Sequence, residues 1–149
     1  MSKVSFSNPK KLAPPPGYSY VVEASGGRTV YFAGQLGVDE SNKFVGPEGG
    51  DFRAQCVKAF ENLTVAIKAA GANWSDVVKI NNYLIDIEKN IGTFREVRDK
   101  FLNTKAPPAS TTIGVPALAR PGGLLEIEAI AVVGKKKDKK KKKYCWPSS

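Results

Sequence analysis

From Asp51 onward, apolar residues recur at spacings of three and four, as Phe52, Cys56, Ala59, Phe60, Leu63, Ile67 and Ala70. That period gathers them on one face of an α-helix, and Gly71 stands where a left-handed residue ends one. A second, shorter stripe of Phe94, Val97 and Phe101 follows Thr93 and Glu96, whose spacing fits a capping box, so a helix is predicted from Thr93 to about Asn103. Pro107 and Pro108 forbid its continuation. Elsewhere the pattern is that of strands. Tyr20–Val22 and Arg28–Ala33 are β-branched and aromatic runs separated by Ser25-Gly26-Gly27, which predicts a hairpin. Further strands are predicted at Val77–Ile85, Thr111–Val115 and Leu124–Val133, with a glycine-rich loop over residues 34–50 that holds at most one short strand around Phe44.

The resulting order, β-β-α-β-α-β-β, predicts an α+β fold in which both helices pack on one face of a mixed sheet. Along the last strand Leu125, Ile127, Ala129, Ala131 and Val133 fall on one side, while Ile130 and Val132 fall on the other. Two helices cannot cover both faces, so self-association is expected. At 149 residues the chain is long enough for one hydrophobic core.

Charge changes this picture only at one end. Residues 135–149 hold eight lysines and one aspartate, a net +7, which leaves +2 of the total +9 for residues 1–134. The expected division is therefore a near-neutral domain over 1–134 and a lysine-rich, disordered tail over 135–149. Such a tail would bind nucleic acid weakly and non-specifically. Two lone cysteines make no disulfide framework, and no apolar run has the length of a signal peptide or a membrane span. A soluble, cytoplasmic protein without a membrane partner is expected. The chain has no histidine. That removes Ser-His and Cys-His nucleophile pairs and the commonest metal ligand, and leaves arginine, lysine, carboxylates, tyrosine, serine, backbone groups and water to carry any chemistry.

Several short pieces, in order, resemble the RidA family, also called YjgF. They are Gly17-Tyr18-Ser19, Ala33-Gly34-Gln35, Asn62-Leu63, Ala69-Ala70-Gly71, Val78-Lys79-Ile80, Pro107-Pro108-Ala109-Ser110-Thr111 and Leu125-Glu126-Ile127-Glu128-Ala129. The resemblance implies a chorismate-mutase-like fold, a homotrimer, and small-molecule sites in clefts between subunits. It implies hydrolysis of reactive enamines and imines such as 2-aminoacrylate, with no metal and no organic cofactor. Glu126 matches the acidic residue that orients water or relays a proton, a role suited to a carboxylate in a partly apolar cleft. Tyr18 matches the tyrosine at the cleft, with Tyr20 as a competitor two residues on. Gly34 matches a glycine whose backbone approaches the ligand.

One departure bears on function. Where active deaminases of this family carry an arginine that grips the substrate carboxylate, this chain has Ser110. Exchanging a bidentate, charge-assisted contact for one hydroxyl costs about 3 kcal/mol, on the order of a hundredfold in binding. Arg98, on the second helix, aligns with another family position that points into the site and is a candidate replacement; its alternative is a solvated helix face beside Asp99 and Lys100. Whether the protein is an enzyme is thus open between an enamine/imine deaminase and a non-deaminase ligand-binding or interaction protein of the same fold. RNA binding or cleavage, a third reading, is disfavoured by the near-neutral domain and the missing histidine.

Overall fold

The computed structural model describes residues 3–48 and 50–134; the lysine-rich segment 135–149 lies outside them. Eight principal elements follow one another: β1 (Lys3–Ser7), β2 (Val21–Ser25), β3 (Arg28–Gln35), α1 (Phe52–Ala69), β4 (Val77–Leu84), α2 (Ile87–Phe101), β5 (Ala109–Gly114) and β6 (Leu125–Val133). Four strands form a mixed sheet in the order β3-β6-β4-β5, with β4 and β5 parallel and the other pairs antiparallel. The two helices lie on one face of it, as expected, and the core is what they enclose. Phe60, Leu63 and Ile67 of α1 and Phe94 and Val97 of α2 are buried against Ile80, Leu84, Leu125, Ile127, Ala129 and Ala131. Phe60 is the centre of an aromatic group, 5.1 Å from Phe101, 5.9 Å from Phe94 and 6.0 Å from Trp74 between ring centroids.

The expected hairpin does not form. Gly26 and Gly27 both take positive φ, as a tight reversal requires, but β2 pairs with β1 in a separate two-stranded sheet while β3 pairs with β6. A turn signal specifies where the chain reverses, whereas the ladder forms on whichever edge offers partners. Here β1, which the sequence pattern did not single out, takes β2.

The second helix begins at Ile87, not Thr93. Asp86 makes the corner in left-handed backbone at φ 47° and gives no side-chain cap, and buried Asn90 ties the first turn back to β4 through Ile85 O at 2.8 Å. Thr93 and Glu96 form no capping box because both lie inside the helix, and Glu96 is paired instead with Arg53 of α1 at 2.6 Å. Near Phe44 there is a single bridge to Val38 rather than a strand.

Three polar side chains fix the loops that flank the sheet. Asn62 donates to Leu36 O and Val38 O, each at 2.9 Å. Buried Gln55 accepts from Leu124 N at 2.9 Å and donates to Gly122 O at 3.1 Å. Asp51 caps α1 by accepting from Ala54 N at 2.9 Å. The sheet face away from the helices carries Tyr31, Asn81, Tyr83, Glu126, Glu128 and Ile130, and in the single chain Tyr31 is 75% exposed there.

Candidate functional site

One cleft of about 360 Å³ opens between α2 and β5, lined by Pro16, Tyr18, Ile87, Ile91, Arg95, Arg98, Ser110, Thr111 and Thr112. Its helix wall is a stripe at spacings of four, four and three, from Ile87 through Ile91 and Arg95 to Arg98. Its strand wall comes from β5, the edge of the sheet, where Ser110 and Thr112 share the helix-facing side. The third side is the chain entering β2. Ser19 holds that segment against the start of β5, with its N–H on Pro108 O at 3.2 Å and its hydroxyl on Pro107 O at 2.6 Å.

Gly17 is what lets the entering segment pass so near α2. It takes φ +85°, and a Cβ there would overlap the Arg98 guanidinium. Arg98 is accordingly 4% exposed. Its Nε donates to Asp99 Oδ1 at 2.9 Å and an Nη to Pro16 O at 3.4 Å, and its Cζ stands 6.0 Å from the Phe94 ring. Arg98 therefore does not lie on a solvated helix face. Arg95 is exposed and has no hydrogen-bonding or ionic partner among the described residues. Tyr18 lines the cleft, and Tyr20 packs edge-on against it with centroids 5.5 Å apart, outside the lining. The neighbouring Tyr18 hydroxyl, with some loss of hydration, keeps the Tyr20 phenol above its usual range.

Ser110 is a strand residue, not a turn residue, and its hydroxyl is set by Asn82. That amide is 1% exposed, and its Nδ2 lies 3.1 Å from Ser110 Oγ, 3.0 Å from Thr112 Oγ1 and 3.2 Å from Thr111 O. The two protons of Nδ2 are shared among these three oxygens, and the Ser110 and Thr112 hydroxyls, each able to donate or accept, stand beside the cleft. Asn82 Oδ1 has no partner among the described residues.

Glu126 and Gly34 lie elsewhere. Along β6, Glu126 alternates with Leu125 and Ile127, which face the helices, so it points to the opposite sheet face, across from Tyr83 in the ladder. Its carboxylate rests against the Gly34 backbone, where a Cβ would come within 2.8 Å of the carboxyl carbon. Glu126 is half-buried and without a hydrogen-bonding or ionic partner among the described residues. Glu128 beside it is engaged, accepting from the Tyr83 hydroxyl at 2.7 Å and from Asn81 at 3.2 Å. That bond, partial burial and the charges of Glu128 and Glu126 together raise the Tyr83 pKa, so the phenol stays a donor.

The fold thus brings Tyr18, Arg98 and Ser110 into one cleft and Gly34 and Glu126 together on the other face of the sheet. The two groups do not meet within one chain. Among the described residues no cluster of three or more acidic or cysteine side chains could hold a metal ion, and no helix is long and apolar enough to cross a membrane. Cys56 is buried in α1 with its thiol pushed up to about 12 by loss of hydration, which leaves it inert as a nucleophile.

The sequence reading did not single out Ile87, Ile91, Arg95, Thr112 or Asn82 for the site. Ile87 and Ile91 were hidden by the misplaced start of α2, since with the helix begun at Ile87 the stripe reads directly from the spacing, whereas Arg95 lies within the expected helix, three residues before Arg98. Asn82 carries no comparable signal, because its role depends on which strand lies beside β4.

A family model described as Endoribonuclease L-PSP matches residues 9–133. The protein DfrA of Myxococcus xanthus is 35% identical over 126 residues, covering 83% of this chain and 88% of its own. A 2-iminobutanoate/2-iminopropanoate deaminase of Dermatophagoides farinae is 34% identical over 125 residues, covering 82% and 91%. Among solved structures, a Rid-family protein of unknown function from Yersinia pestis superposes with a TM-score of 0.79 at 34% identity, covering 87% of this chain and 98% of that one.

Proposed function

Because the chain belongs to the RidA (YjgF) family, we propose that it hydrolyses reactive enamine and imine acids to keto acids and ammonia, at clefts between the subunits of a homotrimer. The observation that supports this most is the division of the site. A cationic cleft lined with hydroxyls lies on the edge of the sheet, and an unengaged carboxylate lies on a sheet face that a single chain leaves uncovered. Three copies arranged in a ring would set the open face of one subunit against the β5 edge of the next and unite the halves.

In the united site the ligand carboxylate lies in the α2–β5 cleft beside Tyr18, Arg98 and Ser110. Glu126 of the adjoining subunit faces the C=N carbon. An enamine first takes a proton at carbon to become the iminium. Glu126 then removes a proton from water as the oxygen attacks the C=N carbon, and the tetrahedral adduct forms. The same proton is returned to nitrogen, ammonia leaves as the C–N bond breaks, and the hydroxyl of the adduct gives its proton to the Glu126 carboxylate as the carbonyl forms. Gly34, without a Cβ, leaves room for the Glu126 carboxylate to hold this position. No metal or organic cofactor enters these steps.

The test is to generate 2-aminoacrylate with a dehydratase and follow its decay with micromolar protein present. Acceleration is expected, and its absence would sink the hydrolase reading. A second reading rests on Ser110: a chain lacking the usual arginine could bind the keto acid without turning over the imine. Ser110→Arg then discriminates, since a gain of activity from none identifies that serine as the missing anchor.

A further inference from the structure

We infer that Arg95, not Arg98, supplies the charge that grips the ligand carboxylate, taking over from the arginine that Ser110 displaces. This rests on the proposal that the α2–β5 cleft is the binding site. Arg98 is held on three sides, by Asp99 at its Nε, by Pro16 O at an Nη and by Gly17 packed over the guanidinium. Its charge is already met by Asp99 at 2.9 Å. Arg95 stands one turn earlier on the same stripe, lines the same cleft, and faces no carboxylate partner among the described residues. Across from it stand the Ser110 and Thr112 hydroxyls, both within hydrogen-bond distance of Asn82 Nδ2 and each able to turn its proton toward an anion. An anion between these walls would meet an unpaired guanidinium on one side and two hydroxyls on the other.

The rest of the stripe describes the remainder of the ligand. Ile87 and Ile91 continue the helix wall toward the N-terminus of α2 without a charge. A monoanionic 2-imino acid would therefore lie along α2 with its carboxylate at Arg95 and a short aliphatic side chain against the two isoleucines. Arg98 acts as a positioning residue that fixes Pro16 and Gly17, and through them Tyr18.

Calorimetric titration of the full-length protein with 2-oxobutanoate and with its uncharged amide, 2-oxobutanamide, tests the assignment. The unmodified protein is expected to favour the acid by tenfold or more. In Arg95→Gln affinity for the acid should fall on the order of 10- to 100-fold with the amide unchanged, and Arg95→Lys should recover part of the loss. Because Arg95 is exposed, an unaltered melting temperature checks that the fold is kept. A preference for the acid that persists in Arg95→Gln overturns the inference and leaves the hydrolase reading standing. Loss of that preference, in a protein that does not turn over imines, upholds the anchor and removes the hydrolase. An unmodified protein that binds neither compound overturns both.

Discussion

Two glycines determine how closely the groups of the site can approach their surroundings. Gly17 lies on the Arg98 guanidinium and Gly34 on the Glu126 carboxylate, and in each case a single methyl group would occupy the space of the charged group. At Gly34 the obstructed atoms belong to the end of a flexible side chain, so alanine should displace Glu126 rather than unfold the sheet. Gly34→Ala is therefore expected to lower kcat for imine hydrolysis on the order of 100-fold while the melting temperature stays nearly unchanged. Steady-state kinetics and a thermal melt on the same sample separate the two effects. An undiminished kcat would remove Glu126 from the chemistry. Asn82 works differently, since its buried amide holds the oxygens of two hydroxyls at the cleft wall.

The helices differ in how directly their sequence declares them. In α1 the stripe of Cys56, Ala59, Phe60, Leu63 and Ile67 is fully buried, as its spacing predicts, and Asp51 and Gly71 bound it. Asp51 satisfies one of the unpaired N–H groups of the first turn, so Asp51→Ala should cost about 1 kcal/mol, read as a lower urea midpoint at unchanged slope. No loss would mean that water or a neighbouring group caps the helix as well. In α2 the local pattern points to too late a start, because Gly92 interrupts it and Thr93 with Glu96 imitates a cap. The packing of Ile87, Asn90 and Ile91 overrides both. Strand pairing escapes the local pattern for a related reason. Gly26-Gly27 marks the reversal correctly, but the partner edges lie far along the chain, at β1 and β6.

For the molecule as a whole, the sheet face carrying Tyr31, Ile130, Glu126 and Tyr83 is the feature that a single chain leaves unresolved. If three copies close over it, light scattering should give three times the 16.1 kDa of the chain. Tyr31→Glu should shift the mass toward one chain and abolish imine hydrolysis with it. Tyr31 is exposed in the separate chain, so the fold itself should tolerate the change. A monomer mass for the unmodified protein refutes the trimer.

The sequence by itself determined the α+β class, the buried stripe of α1, the apolar alternation of β6 and the candidate residues Tyr18, Gly34, Arg98, Ser110 and Glu126. Each of these follows from local periodicity or from a short motif. Only the tertiary structure decided which of them meet. Period-two alternation shows that Glu126 and Leu125 face opposite ways, but not which face the helices cover. Nor does it show that an edge strand lies beside α2 to make Ser110 and Arg95 two walls of one cleft. Those outcomes depend on pairings between residues far apart in the chain, where the free energy of burial is shared across elements and no local pattern carries it.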